Sequence, residues 1–144
     1  MNEKEYLNKI KTTLFNQNRI QYELKRDWKT IPSEAGVYIV FENGILCYVG
    51  ETGSLRGRQR NLIRTVNHTL RITIGDLMFS KEEGYIKATS RKKFPDHIEE
   101  KLNSWMVNNI TISFLPVPLG RKELEEMICD EEMPKYNRRG RRMG

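Results

Sequence analysis

The chain predicts an α+β domain: a small three-stranded antiparallel sheet, made of a hairpin plus a third strand, flanked by helices. Residues 36–41 and 45–50 are two short runs rich in β-branched and aromatic residues, set either side of Asn43-Gly44. Thr111 to Val117 is a third run of the same kind. Around them, apolar residues recur at three- and four-residue steps, the period of helices that bury one face. A length of 144 residues suits one domain able to bury a core without disulfide or metal staples.

Taken in order, residues 3–26 have helical spacing. Tyr6, Leu7, Ile10, Leu14 and Phe15 share a stripe, Ile20 and Leu24 continue it, and Asn16-Gln17-Asn18 marks an interruption. Residues 1–30 are therefore expected to be a helical appendage packed on a main domain of residues 31–144. Pro32 ends this region, because proline has no N–H to continue a helix.

The hairpin that follows has two possible registers. A two-residue Asn43-Gly44 turn pairs Phe41 with Leu46 and sets Tyr38 against Val49. A three-residue loop, Glu42-Asn43-Gly44, pairs Phe41 with Ile45 and sets Tyr38 against Tyr48. A slip of one residue reverses the faces, so the choice decides which side chains meet. The three-residue loop is expected, with the tyrosines opposite one another.

A helix is expected over residues 54–66, with Leu55, Leu62, Ile63 and Val66 buried. Arg56, Arg60 and Arg64 step by four along another face. Arg58 differs, because it borders the apolar stripe, and a charge in that position needs a partner. Asn67-His68-Thr69 reads as a turn, with His68 either a proton relay or a turn histidine without a role. Ile72-Thr73-Ile74 reads as a short strand. A charged helix from about Asp96 to Asn108 turns Ile98, Leu102, Trp105 and Met106 inward. A last helix, Arg121 to Glu132, has Leu124, Met127 and Ile128 as its core face and stops before Pro134.

Composition narrows the function classes. The net charge of +6 favours a polyanionic partner. Cys47 and Cys129 are too few for a disulfide framework, lack metal-site spacing and sit in apolar patterns, so they read as buried thiols. No apolar run approaches a membrane span and the first residues are charged, which makes a cytoplasmic location the expectation.

One ordered set of residues goes further. Gly36-Val37-Tyr38 is followed by Tyr48-Val49-Gly50, with Arg58 eight positions after Gly50. Near the end, Glu125 precedes Asn137 within a segment closing Pro134-Lys135-Tyr136-Asn137. This set resembles the GIY-YIG nucleases, and the Glu125–Asn137 spacing is similar to that in the catalytic domain of bacterial excision-repair nucleases. The resemblance implies a metal-dependent endonuclease that hydrolyses a DNA phosphodiester bond, in repair, restriction or a mobile element. It implies that Glu125 holds one Mg²⁺ or Mn²⁺, that Tyr38 is the general base and that Tyr48 helps to place the water. Arg58 would stabilise charge developing on the phosphate, and Asn137 would brace the site. A tyrosine base requires surroundings that favour the phenolate, since the ordinary pKa is about 10. Arg56, Arg60, Arg64, Arg138 and Arg139 are the candidate contacts to nucleic acid. The basic tail reads either as a clamp on a phosphate backbone or as a disordered segment.

The chain departs from the family pattern in two places. Glu51 stands where many members carry a lysine, and Leu62 stands where a tyrosine or histidine is common. Residues 67–108 look like an insertion, in which Lys87 and Arg91-Lys92-Lys93 would meet substrate. A catalytically inactive nucleic-acid-binding module on the same fold is the alternative function. A monomer is expected in either case.

Overall fold

Strand β2 is the centre of a four-stranded sheet. The computed structural model describes residues 1–24, 31–65 and 68–137. In chain order these contain α1 (Glu3–Asn16), β1 (Ile20–Gln21), β2 (Gly36–Glu42), β3 (Ile45–Thr52) and α2 (Leu55–Asn61). Then come α3 (Thr69–Phe79), α4 (Asp96–Asn109), β4 (Ile110–Pro116) and α5 (Arg121–Glu132). The sheet order is β1-β4-β2-β3, and every pairing is antiparallel. The predicted α+β class therefore holds, but the sheet has four strands rather than three.

The additional strand is β1. It lies on β4 with Ile20 opposite Ile112 and Gln21 opposite Thr111, and the next residue continues the contact through Tyr22 N–H donating to the Ile110 carbonyl. Two residues are too few to show an alternating pattern, and Ile20 and Leu24 happen to fit a helical step. The helix ends at Asn16 instead, as the Asn16-Gln17-Asn18 interruption suggested.

The hairpin takes neither register in full. Asn43 (φ 50°) and Gly44 (φ 85°) are both left-handed, so the loop has two residues, with Glu42 opposite Ile45 and Phe41 opposite Leu46. A bulge between Val40 and Phe41 then takes up one residue of β3, so that Val40 faces Tyr48 and Tyr38 faces Gly50. The expected three-residue loop and the direct Tyr38–Tyr48 pairing are both corrected. Turn chemistry chose Asn-Gly, and the bulge restored the face that a simple two-residue turn would have reversed.

Two apolar layers cover the sheet. Val37, Ile39, Phe41 and Val49 join Leu7 and Leu14 of α1 with Leu124, Ile128 and Cys129 of α5. Tyr38, Val40, Tyr48, Ile112 and Phe114 occupy the other face under Leu55, Leu62, Leu70, Ile74, Ile98, Leu102 and Met106. Both cysteines are free and buried, as their apolar surroundings in the sequence implied. The run Ile72-Thr73-Ile74 is not a strand but the middle of α3. Its β-branched residues are overruled because Leu70 and Ile74, one turn apart, reach the core together, and because Gly75 meets the Phe94 ring where a Cβ would collide.

A buried arginine fastens this cover. Arg71 of α3 is wholly buried. It donates to Glu99 Oε1 (3.1 Å), Asn103 Oδ1 (2.7 Å), Tyr22 Oη (2.9 Å) and Thr65 Oγ1 (3.2 Å). The Tyr22 hydroxyl in turn donates to the Leu62 carbonyl at 2.7 Å. One guanidinium thus joins the segment after β1, the end of α2, α3 and α4. Replacing Arg71 by Ala strands the Glu99 carboxylate and should cost about 3–5 kcal/mol, read as a fall in the urea midpoint.

Candidate active site

Tyr38 reaches its place because Gly50 has no side chain. A Cβ at Gly50 would run into the Tyr38 ring and hydroxyl. The ring, wholly buried, lies 6.1 Å from Tyr48 and 6.1 Å from Phe114, centroid to centroid. The bulge leaves Tyr48 diagonal to Tyr38 on the same face, with the two rings tilted against each other.

Arg58 comes from α2. Ser54 caps that helix, its hydroxyl accepting from Gly57 N–H at 3.1 Å. The Leu55 and Arg56 amides donate to the carbonyls of Glu34 and Pro32, which seats the helix start beside β2. From there Arg58 Nε donates to the Tyr38 hydroxyl at 3.1 Å. The arginine that bordered an apolar stripe has its partner, and it is one of the tyrosines.

Glu125 is half-buried on α5, and its charge acts on both tyrosines. The structure therefore brings Tyr38, Tyr48 and Arg58 into one cluster, joined by the Arg58–Tyr38 hydrogen bond and the tyrosine ring contact, with Glu125 as its nearby carboxylate. Asn137 is held elsewhere. Its Oδ1 accepts from Val49 N–H and its Nδ2 donates to the Val49 carbonyl, both at 2.9 Å. With Tyr136 N–H donating to the Cys47 carbonyl at 3.0 Å, the segment after α5 covers the open edge of β3. Asn137 thus braces the strand that carries Tyr48, and its side-chain amide bonds to backbone rather than to the cluster.

Electrostatics runs against one expectation. Burial raises the pKa of Tyr38, and the adjacent Arg58 charge lowers it by less than burial raises it. Tyr48 is also raised, first by burial. The surroundings therefore favour the phenol, not the phenolate that a resting general base needs. Burial likewise pushes the Cys47 thiol up to about 12, so it is inert.

The basic candidates separate. Arg60 and Arg64 are exposed, whereas Arg56 is half-buried and its Nε donates to the Ile31 carbonyl at 2.9 Å. The helix stops at Asn61, so Arg64 lies beyond it and the expected four-residue stripe is not one helical face. Arg138, Arg139 and Val66 fall outside the described residues. Of the departures from the family pattern, Leu62 is a buried C-cap and Glu51 pairs with Arg121.

Three buried polar side chains were not legible as such. Gln59 is 1% exposed on a helix rich in polar residues, and Arg71 sits inside what reads as an apolar run. His68 is wholly buried at the start of α3, and neither ring nitrogen has a hydrogen-bond partner. Burial, with the charges of Arg58 and Arg71, lowers its pKa from 6.5 to about 3.

Among the described residues no group of three or more His, Cys, Asp or Glu side chains could hold a metal. A closed protein cage does not fit. A single carboxylate beside hydroxyls does fit Mg²⁺, which keeps several waters and binds through one or two carboxylates and a substrate phosphate.

A half-buried carboxylate on α5 thus stands beside a buried tyrosine–arginine cluster carried by the hairpin and α2. The family profile described as the GIY-YIG catalytic domain matches residues 6–141, and the chain belongs to this family. No curated protein matches the chain significantly. Among solved structures it is similar to the GIY-YIG N-terminal endonuclease domain of UvrC from Thermotoga maritima. A point mutant of that domain bound to the catalytic divalent cation is 16% identical, with a TM-score of 0.41, covering 95% of this chain and 98% of that one. The magnesium-bound form is 17% identical, with a TM-score of 0.41, covering 95% and 99%.

The buried histidine makes a pH prediction. A histidine whose pKa falls from 6.5 to about 3 on folding stays neutral in the native state while the unfolded chain takes up a proton. Its contribution is intact above pH 6.5 and is lost as pH falls toward 3. Between pH 6.5 and 5, wild type should lose about 2 kcal/mol more than His68→Leu in urea titrations at each pH. Parallel pH curves for the two proteins contradict it. For Asn137→Ala, loss of both bonds to Val49 should cost about 1–3 kcal/mol and expose the β3 edge to amide exchange.

Proposed function

We propose that this protein is a metal-dependent endonuclease that hydrolyses a phosphodiester bond of DNA. The observation that carries the reading is the Arg58 Nε bond to the Tyr38 hydroxyl, beside Tyr48 and within the field of Glu125. A structural tyrosine pair would not require a guanidinium in the same buried cluster, since desolvating a charge is costly.

In this reading Glu125 holds Mg²⁺ or Mn²⁺. The ion, when bound, supplies neutralisation of the scissile phosphate and of the leaving oxygen. Arg58, committed through Nε to Tyr38, turns its remaining donors to phosphate oxygens as charge builds on them. The phenolate oxygen of ionised Tyr38 accepts the proton of the attacking water, and the Tyr48 hydroxyl orients that water. Because Tyr38 rests as a phenol, only its ionised fraction acts as base. Asn137 keeps Tyr48 in register by holding Val49. Arg60 and Arg64, with Arg138 and Arg139, would contact the backbone away from the cut.

The inactive-module alternative rested on Glu51 and Leu62. Glu51 is balanced by Arg121 and Leu62 fills the core, so neither counts against catalysis.

Purified protein should nick supercoiled plasmid in Mg²⁺ or Mn²⁺ and not in EDTA. Tyr38→Phe and Glu125→Ala should each lower the rate by at least ~10²-fold. The wild-type rate should climb with pH, close to tenfold per unit, with no plateau across the neutral range, because the Tyr38 pKa is raised. Unimpaired cutting by Glu125→Ala would remove the metal assignment. Salt-sensitive DNA binding without any cutting would favour the inactive module.

A further inference from the structure

Glu51 and Arg121 take no part in the chemistry just described, yet they lie at its edge. Arg121 Nη1 is 3.1 Å from Glu51 Oε2, and the two side chains remain 31% and 23% exposed. Glu51 follows Gly50, the residue on which the Tyr38 ring rests. Arg121 precedes Glu125 by four residues in α5, so their side chains lie on one side of the helix, a turn apart.

The pair is poorly explained as a stabilising device. Part-exposed ion pairs contribute little to stability. A cation in the first turn of a helix opposes the helix dipole, and Gly120 supplies no side-chain cap there. What the arrangement does achieve is a fixed direction for a guanidinium. Glu51 occupies one terminal nitrogen, and the planar fork keeps further donors in known directions. Glu51 also cancels the repulsion that an isolated acid would present to a polyanion.

We propose that Arg121, held by Glu51, contacts a backbone phosphate flanking the one that is cut. It approaches from the α5 side of the sheet, while Arg58 approaches from α2. The proposal rests on the nuclease reading above. Without Arg121 the protein loses one phosphate contact, and without Glu51 the contact is kept but no longer pre-set.

The test is anisotropy titration of a short labelled DNA duplex in EDTA across a series of NaCl concentrations. Arg121→Ala should weaken binding by ~5–10-fold at ~0.1 M salt and make the log–log salt slope shallower by ~0.9. Arg121→Lys should recover the wild-type slope. Glu51→Gln should keep the slope and weaken binding by a smaller factor than Arg121→Ala. Thermal melts of each variant report the alternative of a merely structural ion pair, which moves the melting temperature and leaves the salt slope alone. An unchanged slope in Arg121→Ala overturns the proposal while leaving the nuclease reading in place. Tighter binding by Glu51→Gln overturns the positioning role. Wild-type protein that binds no duplex overturns both readings.

Discussion

The site depends on a missing side chain. Tyr38 can lie flat across β3 only because position 50 is glycine, and everything else in the cluster is arranged around that buried ring. Its hydroxyl is where Arg58 from α2 and Tyr48 from β3 meet. Any Cβ at position 50 would lift the ring, separate the hydroxyl from Arg58 and leave a guanidinium without its partner. A backbone constraint in one strand thus fixes the relation between elements that are not themselves paired.

Two devices keep that constraint in register. The Asn43-Gly44 turn fixes the end of the hairpin, and the bulge after Val40 corrects the facing of every residue beyond it. At the opposite edge, Asn137 bonds to the Val49 backbone as a strand would, closing an edge that would otherwise be open to another chain. The residues of the candidate site are consequently of two kinds. Tyr38, Tyr48 and Arg58 touch each other, whereas Asn137 acts on them through the strand.

Much of this was legible in the sequence. Helix α5 lies at Arg121–Glu132 as its spacing indicated, and α4 differs by one residue. Gly36-Val37-Tyr38, Tyr48-Val49-Gly50 and Arg58 were recognisable by their resemblance to a family pattern, and Arg58 also because it borders an apolar helix face. The rest depended on tertiary context. Two residues of β1 carry no periodicity, and the β-branched middle of α3 was decided by packing on Phe94. Arg71 is buried because its partners lie far along the chain, and His68 is buried without a hydrogen-bond partner for either ring nitrogen. The bulge was the deepest loss, since a turn argument fixes register only up to the first irregularity.

The raised pKa of Tyr38 gives the account its sharpest physical content. A buried phenol beside a buried arginine is a poor resting base, so the proposed hydrolysis would draw on a cation at the Glu125 carboxylate and on substrate to complete the site. The most direct measurement is an anomalous difference map from crystals of the protein soaked in Mn²⁺. The account predicts one strong peak at the Glu125 carboxylate, on the side that faces the Tyr38–Tyr48–Arg58 cluster, and loss of that peak in Glu125→Gln. A peak held by other residues, or one that persists in Glu125→Gln, would contradict it.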